Sequence, residues 1–216
     1  MKYKVMIVED QTMPRELFEL RIQASEHFEV ALSIDNAALA DVYCLRFPVD
    51  LILMDVVTRN GESGLDAAER IKRAFPQIKI IIVTSMPECS YLSRAREIGV
   101  ESFWYKEEGR ESLLDVMERT MAGESIYPDA PPELQLGLAS SYEFTGRELE
   151  VLREMTGGDT NQEIAERLHM SVATVKTHIL NMLEKTGFRN RTELAVRARE
   201  SGLVILNRKS ESHWKE

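Results

Sequence analysis

The seven residues Val49-Asp-Leu-Ile-Leu-Met-Asp55 constrain the chain most. Four apolar side chains in succession, Leu51 to Met54, leave no polar alternation. That is the pattern of a strand buried on both faces, as in a parallel sheet covered by helices. A buried helix segment shows a similar run, but Pro48 before it and Gly61 after it favour a strand. The run ends on a carboxylate, Asp55. In open α/β sheets ligands bind beyond the carboxyl ends of the strands, so Asp55 is expected at the functional edge.

The flanking sequence supplies the rest of such a sheet. Residues 3–8 predict a strand ending on Glu9 and Asp10, and residues 28–32 a second. Residues 79–83 and 102–105 predict two more, ending on Thr84/Ser85 and on Lys106. Helical patterns lie between them: after Pro14, with Leu17, Leu20, Ile22 and Ala24; over 36–47; and from the polar loop 58–64 through Phe75. Two more span 88–98 and 110–122, closed by Gly99 and Gly123, glycine just past a helix being the usual left-handed terminator. Five alternations predict an α/β domain with a doubly wound five-stranded parallel sheet. Cys44 and Cys89 lack metal-ligand spacing and read as two reduced, buried thiols.

Residues 123–142 hold three prolines, two glycines and three serines, which marks a linker, with one helical turn expected around 132–138. Beyond it strand signals stop and four helical segments predict a smaller all-α domain. Segments 145–156 and 160–169 open with capping boxes, Thr145/Glu148 and Thr160/Glu163. Segment 171–186 ends before Gly187, segment 191–201 before Gly202, and 207–216 reads as a frayed polar tail.

Charge is unevenly spread. Residues 143–216 carry 12 basic and 12 acidic side chains, so the net −9 resides in the first 142 residues. Within 171–199, Lys176, Lys185, Arg189, Arg191, Arg197 and Arg199 face only Glu184 and Glu193. This fits nucleic-acid contact at one end, although basic residues on a solvated helix face fit the composition equally. No stretch approaches the roughly 18 apolar residues that span a bilayer. The N-terminus runs straight into a strand with no cleavage site, which predicts a cytoplasmic protein without a membrane partner.

In a parallel sheet all strand ends share one edge, which gathers Glu9, Asp10, Asp55, Thr84 and Lys106. Three carboxylates brought together need a cation, and hard oxygen ligands suit Mg²⁺. A hydroxyl and a lysine beside them would hold phosphoryl oxygens, so the set suits formation of an aspartyl phosphate. Singly, each is an ordinary loop acid or solvated lysine; the case rests on their joint placement. In segment 171–186, Val172, Val175, Ile179, Met182 and Leu183 form one core stripe. Ala173, Thr174, Thr177 and Asn181 lie roughly opposite, flanked by Lys176 and His178. That face suits a helix in the major groove, and also an ordinary amphipathic surface helix.

Residues 1–122 resemble a response-regulator receiver domain, a flavodoxin-like fold. The resemblance implies that Glu9 and Asp10 are the acidic metal-binding pair, Asp55 the phosphoacceptor, Thr84 the switch hydroxyl and Lys106 the phosphate-binding lysine. It implies a further metal ligand from the Val57 backbone carbonyl. Gly99-Val-Glu-Ser-Phe-Trp-Tyr-Lys106 resembles the family's Gly-Ala-x-Gly-Tyr-Leu-x-Lys segment and puts Phe103 at its aromatic switch position; core packing is the plain alternative. In that mechanism Thr84 moves towards the phosphoryl group and the ring swings inward. Three departures stand out: Thr58-Arg59 where Met-Pro is usual, Glu107 where a proline often follows the lysine, and apolar Val57 at the mouth of the site. None removes a reactive group.

Residues 144–152, 161–165, 174–178 and 190–194 resemble a LuxR-type helix-turn-helix domain spanning 143–205. This implies that Lys176 and Thr177 approach base edges, Thr174 and Asn181 meet phosphate, and Arg191 assists backbone contact or dimerisation. Leu180 takes a groove-facing place suited to a thymine methyl. His169 and His178 lack metal partners and read as structural or phosphate-contacting. Together the chain resembles a NarL/FixJ-type response regulator: receiver 1–122, linker 123–142, DNA-binding domain 143–206 and tail 207–216. The resemblance implies a partner histidine kinase, Mg²⁺, double-stranded promoter DNA and a homodimer when phosphorylated or DNA-bound. An enzyme resembling the haloacid dehalogenases would carry a second Asp where Val57 stands, which argues against catalysis. A constitutive DNA-binding regulator, whose receiver serves only dimerisation or protein interaction, is the other reading.

Overall fold

The computed structural model describes residues 2–85, 89–106 and 112–204. The chain forms two compact units that divide between Pro131 and Pro132. In the first, strands β1 (Tyr3–Val8), β2 (Phe28–Ile34), β3 (Leu51–Met54), β4 (Lys79–Thr84) and β5 (Ser102–Tyr105) make one parallel sheet in the order β2-β1-β3-β4-β5. Helices α1 (Thr12–Gln23), α2 (Ala40–Arg46), α3 (Gly64–Ala74), α4 (Cys89–Ile98) and α5 (Leu113–Met121) alternate with the strands. The doubly wound expectation is thus met, and β3 sits at the centre.

Register explains why the apolar runs are continuous. Val5 pairs with Leu51 and Leu51 with Lys79, so successive strands present matched faces. On one face Val5, Ile7, Leu51, Leu53, Ile81 and Val83 pack with Phe18 and Ile22 of α1 and with Leu113, Val116 and Met117 of α5. The alternating residues Met6, Ile52, Met54, Ile80 and Ile82 are equally buried and belong to the opposite face. Each fully buried aliphatic side chain contributes about 1.5–3 kcal/mol over leaving it exposed.

Several expectations need correction. In α1 the buried stripe is Phe18 and Ile22, one turn apart, while Leu17 and Leu20 face solvent. The first turn of the second helix, residues 37–39, is a 3₁₀ turn that α2 then follows. The loop after Asp55 holds a small antiparallel ladder, Val57–Thr58 against Glu62–Ser63, turned by left-handed Asn60. Cys44 is a free thiol but only half-buried, and burial pushes its pKa up to about 11. The side chain of Cys89, Glu107, the first residues of the 88–98 and 110–122 helices, and the tail 207–216 lie outside the described residues.

The second unit contains α6 (Gly146–Thr156), α7 (Asn161–Arg167), α8 (Val172–Thr186) and α9 (Arg191–Ser201). Both capping boxes form, with Thr145 accepting from Glu148 N–H and Thr160 from Glu163 N–H. Gly187 and Gly202 close α8 and α9 in left-handed conformation. Val151, Leu152, Ile164, Val175, Ile179, Met182 and Leu194 fill the core. Residues 132–138 form no helical turn. Instead Gln135–Leu136 pairs antiparallel with Ala139–Ser140, and Leu136 and Ala139 are buried in this core. The turn needs Gly137, whose φ is +63° and whose added Cβ would lie 2.2 Å from the Thr186 carbonyl oxygen.

Candidate functional site

Each polar residue at the sheet edge is delivered by a strand. Glu9 follows β1 and its N–H donates to the Ile34 carbonyl at 2.9 Å. Asp55 follows β3 and donates from its N–H to the Val8 carbonyl at 2.9 Å. Lys106 follows β5, and its N–H donates to the carbonyl of Thr84, the last residue of β4, at 2.9 Å. Parallel strands in register therefore bring residues nearly 100 positions apart to one place.

The side chains meet there. Carboxylate oxygens of Glu9, Asp10 and Asp55 lie within 4.8 Å of one another. Lys106 Nζ donates to Glu9 Oε2 at 2.5 Å and to Asp55 Oδ2 at 2.9 Å. The Val56 N–H donates to Asp55 Oδ1 at 2.7 Å, and the Gln11 N–H to Glu9 Oε1 at 3.1 Å. Glu9 and Asp55 are buried, while Asp10 is the more open member. Burial pushes the Asp55 carboxyl up to about 6, with Glu9 adding to the rise and the Lys106 ammonium opposing it. Burial alone would lower Lys106, but the charges of Asp55 and Glu9 outweigh it and hold the ammonium above its ordinary value. The carboxyl groups of Glu9, Asp10 and Asp55 are thus gathered against a single ammonium, with Asp10 on the open side.

The other residues singled out from the sequence stand nearby or one strand away. Thr84 is fully buried at the end of β4. Val57 is half-buried at the start of the small ladder. Phe103 is buried, with its ring centroid 5.1 Å from that of Tyr105 and 6.3 Å from that of Tyr127. Two residues escaped the sequence reading. Gly64 opens α3 so close to Asp55 that a Cβ would lie 1.8 Å from the Asp55 carbonyl oxygen. The second glycine of the run at 61–64 was the only signal for it. Thr58 is buried and bonded on both sides, which no local pattern announces.

In the second unit α8 has the expected two faces. Val175, Ile179 and Met182 are buried, while Ala173, Thr174, Lys176, Thr177, Leu180 and Asn181 are exposed and His178 is half-buried. The turn from α7 to α8 passes through His169, whose φ of +52° is left-handed. The Arg191 guanidinium donates to Asn161 Oδ1 at 2.9 Å and to the Asp159 carbonyl at 2.7 Å, tying α9 to the start of α7. Lys185, one of the six basic residues of this stretch, is bonded to Glu148 at 2.7 Å and 2.9 Å. The outward basic character of α8 thus comes from Lys176.

Comparison with known proteins bears on both parts of the chain. The model of the response regulator receiver domain matches residues 5–118, and that of the bacterial regulatory proteins of the luxR family matches residues 143–198. The response regulator protein VraR of Staphylococcus aureus and that of Staphylococcus epidermidis are each 32% identical over 209 residues, 94% of this chain and all of the relative. A solved structure of RcsB from Salmonella enterica serovar Typhimurium, bound to promoter P1flhDC in the presence of phosphomimetic BeF3-, matches with a TM-score of 0.59 at 20% identity. That match covers 94% of this chain and all of RcsB, and shows a shared fold. With a receiver fold in front and a luxR-type DNA-binding fold behind, this chain belongs to the response regulators, the transcription regulators of two-component systems.

Proposed function

We propose that Asp55 is the phosphoacceptor and that its phosphorylation switches DNA binding by α8. The observation that carries this reading is the buried Asp55 carboxylate, bridged by Lys106 to Glu9 and lying with Asp10 at the open end of the sheet. A partner histidine kinase supplies the phosphoryl group. The N–P bond of its phosphohistidine breaks as a bond forms from an Asp55 carboxylate oxygen to phosphorus, and the electron pair returns to the imidazole. Lys106 holds a phosphoryl oxygen, and Thr84 donates its hydroxyl to another. The clustered carboxylates of Glu9, Asp10 and Asp55 are hard oxygen ligands and fit Mg²⁺, to which the Val57 carbonyl would add a further oxygen. When bound, the ion offsets the negative charge gathered by the carboxylates and the incoming phosphoryl group. Phe103 responds to the rearrangement of Thr84, beside which its strand runs.

On DNA, Lys176 and Thr177 approach base edges from the major groove, Thr174 and Asn181 meet phosphates, and Leu180 makes an apolar contact. Arg191 serves the interface through its bonds to Asn161 and Asp159, which hold α9 against α7. Two copies bind a two-fold promoter site. The protein acts in the cytoplasm as a regulator and turns over no separate substrate; among the described residues no helix is long and apolar enough to cross a membrane.

Selection from random duplex DNA by the full-length protein, with and without Mg²⁺ and beryllofluoride, tests the reading. Enrichment of a two-fold site only with the phosphoryl mimic is expected. Equal enrichment in both arms would leave a constitutive regulator whose receiver serves dimerisation or protein interaction.

A further inference from the structure

The loop 57–63 departs from the family pattern at Thr58-Arg59, and it is anchored through a buried side chain. Thr58 is 1% exposed and stands where a methionine is usual. Its hydroxyl accepts from the Ala37 N–H at 2.9 Å and donates to the Glu62 carbonyl at 3.1 Å. Ala37 is fully buried, so that N–H has no solvent to turn to. A hydroxyl can accept and donate at once, whereas a methionine or valine side chain can do neither job well. The bond thus joins the loop after the phosphoacceptor to the loop after β2.

Further bonds act in the same direction. The Arg59 N–H donates to the Asp35 carbonyl at 3.2 Å, and the Arg59 guanidinium pairs with the Asp35 carboxylate at 2.6 Å. Within the loop, Val57 pairs with Ser63 and Thr58 with Glu62, and the Gly64 N–H donates to the Val56 carbonyl at 2.8 Å. The receiving loop is itself fixed, since Asn36 accepts from the Ala38 N–H at 2.7 Å. Val57 is therefore held by its pairing with Ser63 on one side, and by the anchored Thr58 hydroxyl next to it in the chain.

We propose that Thr58 is the positioning residue for metal binding: its hydroxyl, locked between Ala37 and Glu62, fixes the Val57 backbone as a ligand beside Glu9, Asp10 and Asp55. The inference rests on the metal site proposed above. Groups that orient a metal ligand without touching the metal change affinity by about 10–100-fold when removed.

The test is calorimetric titration of the full-length protein with Mg²⁺ alone, so that neither kinase nor DNA binding enters the readout. Thr58→Val removes the hydroxyl at nearly constant volume and should weaken Mg²⁺ binding by about 10-fold or more. Thr58→Ser keeps the hydroxyl and should restore affinity to near that of the wild type. Asp10→Asn serves as the control for the metal site. A Thr58→Val protein that melts cooperatively and binds Mg²⁺ within twofold of wild type overturns the proposal while leaving the metal site standing. Wild-type binding that Asp10→Asn leaves unaffected sinks the metal site and this inference together. Should Thr58→Val fail to fold, the decision passes to Arg59→Ala, which breaks only the exposed pair with Asp35. Weaker Mg²⁺ binding is expected there, and unchanged affinity counts against the proposal.

Discussion

A methyl group at position 64 would have to occupy space 1.8 Å from the Asp55 carbonyl oxygen and 2.9 Å from Met54 Cγ. Only a hydrogen fits, because α3 begins directly against the backbone that carries Asp55. Gly64→Ala should therefore push the Asp55 peptide aside, costing about 1–3 kcal/mol in denaturant unfolding and slowing phosphorylation from a small-molecule donor. Wild-type stability and labelling would show that the close approach is not needed. Glu148 makes a second argument at this scale. Burial pushes its carboxyl up, but hydrogen bonds from Lys185 and from the Thr145 N–H and hydroxyl outweigh burial and hold it below the ordinary 4.5. A depressed carboxylate stabilises the fold above its unfolded pKa, and that stability is lost as pH falls below about 4.5. Glu148→Gln should cost about 2–3 kcal/mol at pH 7 and flatten the acid limb of the stability curve. An unaltered acid limb in urea unfolding between pH 7 and pH 3 would refute the assignment. Residues such as Glu9, Asp55 and Lys106 were legible in the sequence because strand ends of a parallel sheet must share an edge. Thr58 and Gly64 were not, because their roles arise from approach between segments that no local period relates.

Elements were legible in proportion to their length. The helices announced themselves by caps and terminators, and β3 by its unbroken apolar run, whereas the two-residue ladders at 57–63 and 135–140 carry no period to read. The same holds for residues 125–127, which read as linker but line the edge of β5. The Phe103 N–H donates to the Ile126 carbonyl at 2.8 Å, and the Ile126 N–H to Ser102 Oγ at 3.2 Å. Ser125 Oγ donates to the Glu101 carbonyl and the Tyr127 hydroxyl to the Val100 carbonyl, each at 2.8 Å. The Arg96 guanidinium lies 4.7 Å from the Tyr127 ring centroid, closing the cluster over Phe103. A fragment 1–122 loses all four bonds and leaves an open sheet edge. It should unfold with about 2–4 kcal/mol less stability than a fragment 1–131, at about 1 kcal/mol per bond. Coincident urea midpoints would mean that 125–127 braces nothing. In α8 the exposed Lys176 and the partly buried Lys185 invite a contrast between lysines of different placement. Lys176→Ala should weaken binding to the preferred site by about 1–3 kcal/mol in fluorescence anisotropy. Lys185→Ala should instead destabilise the unit through Glu148, with little change in base preference.

At the scale of the molecule, charge decides what kind of switch this is. The first 142 residues carry the whole net −9, and residues 143–216 are neutral. A phosphoryl group adds roughly −1.5 to −2 more to the acidic part. Long-range electrostatics therefore oppose DNA association, and more so after phosphorylation. Any gain in DNA affinity must come from a free-energy difference between states, conformational or oligomeric, large enough to overcome that repulsion. Moving a population from 1:99 to 99:1 would take about 5.5 kcal/mol, and typical coupling between two sites is about 1–3 kcal/mol. Partial switching, of about 5–150-fold in DNA affinity, is thus the expectation. Linkage makes it checkable from either end, because two coupled equilibria must change each other by the same factor. If beryllofluoride with Mg²⁺ tightens DNA binding by a given factor, then saturating DNA must tighten beryllofluoride binding by that factor. Asp55→Asn should abolish both effects while leaving basal DNA affinity intact. Titrating each ligand in the presence and absence of the other yields the two factors from one set of samples. Unequal factors would mean that a third equilibrium, such as assembly of copies on DNA, was left out of the cycle. Two factors of one would mean that Asp55 and α8 do not communicate.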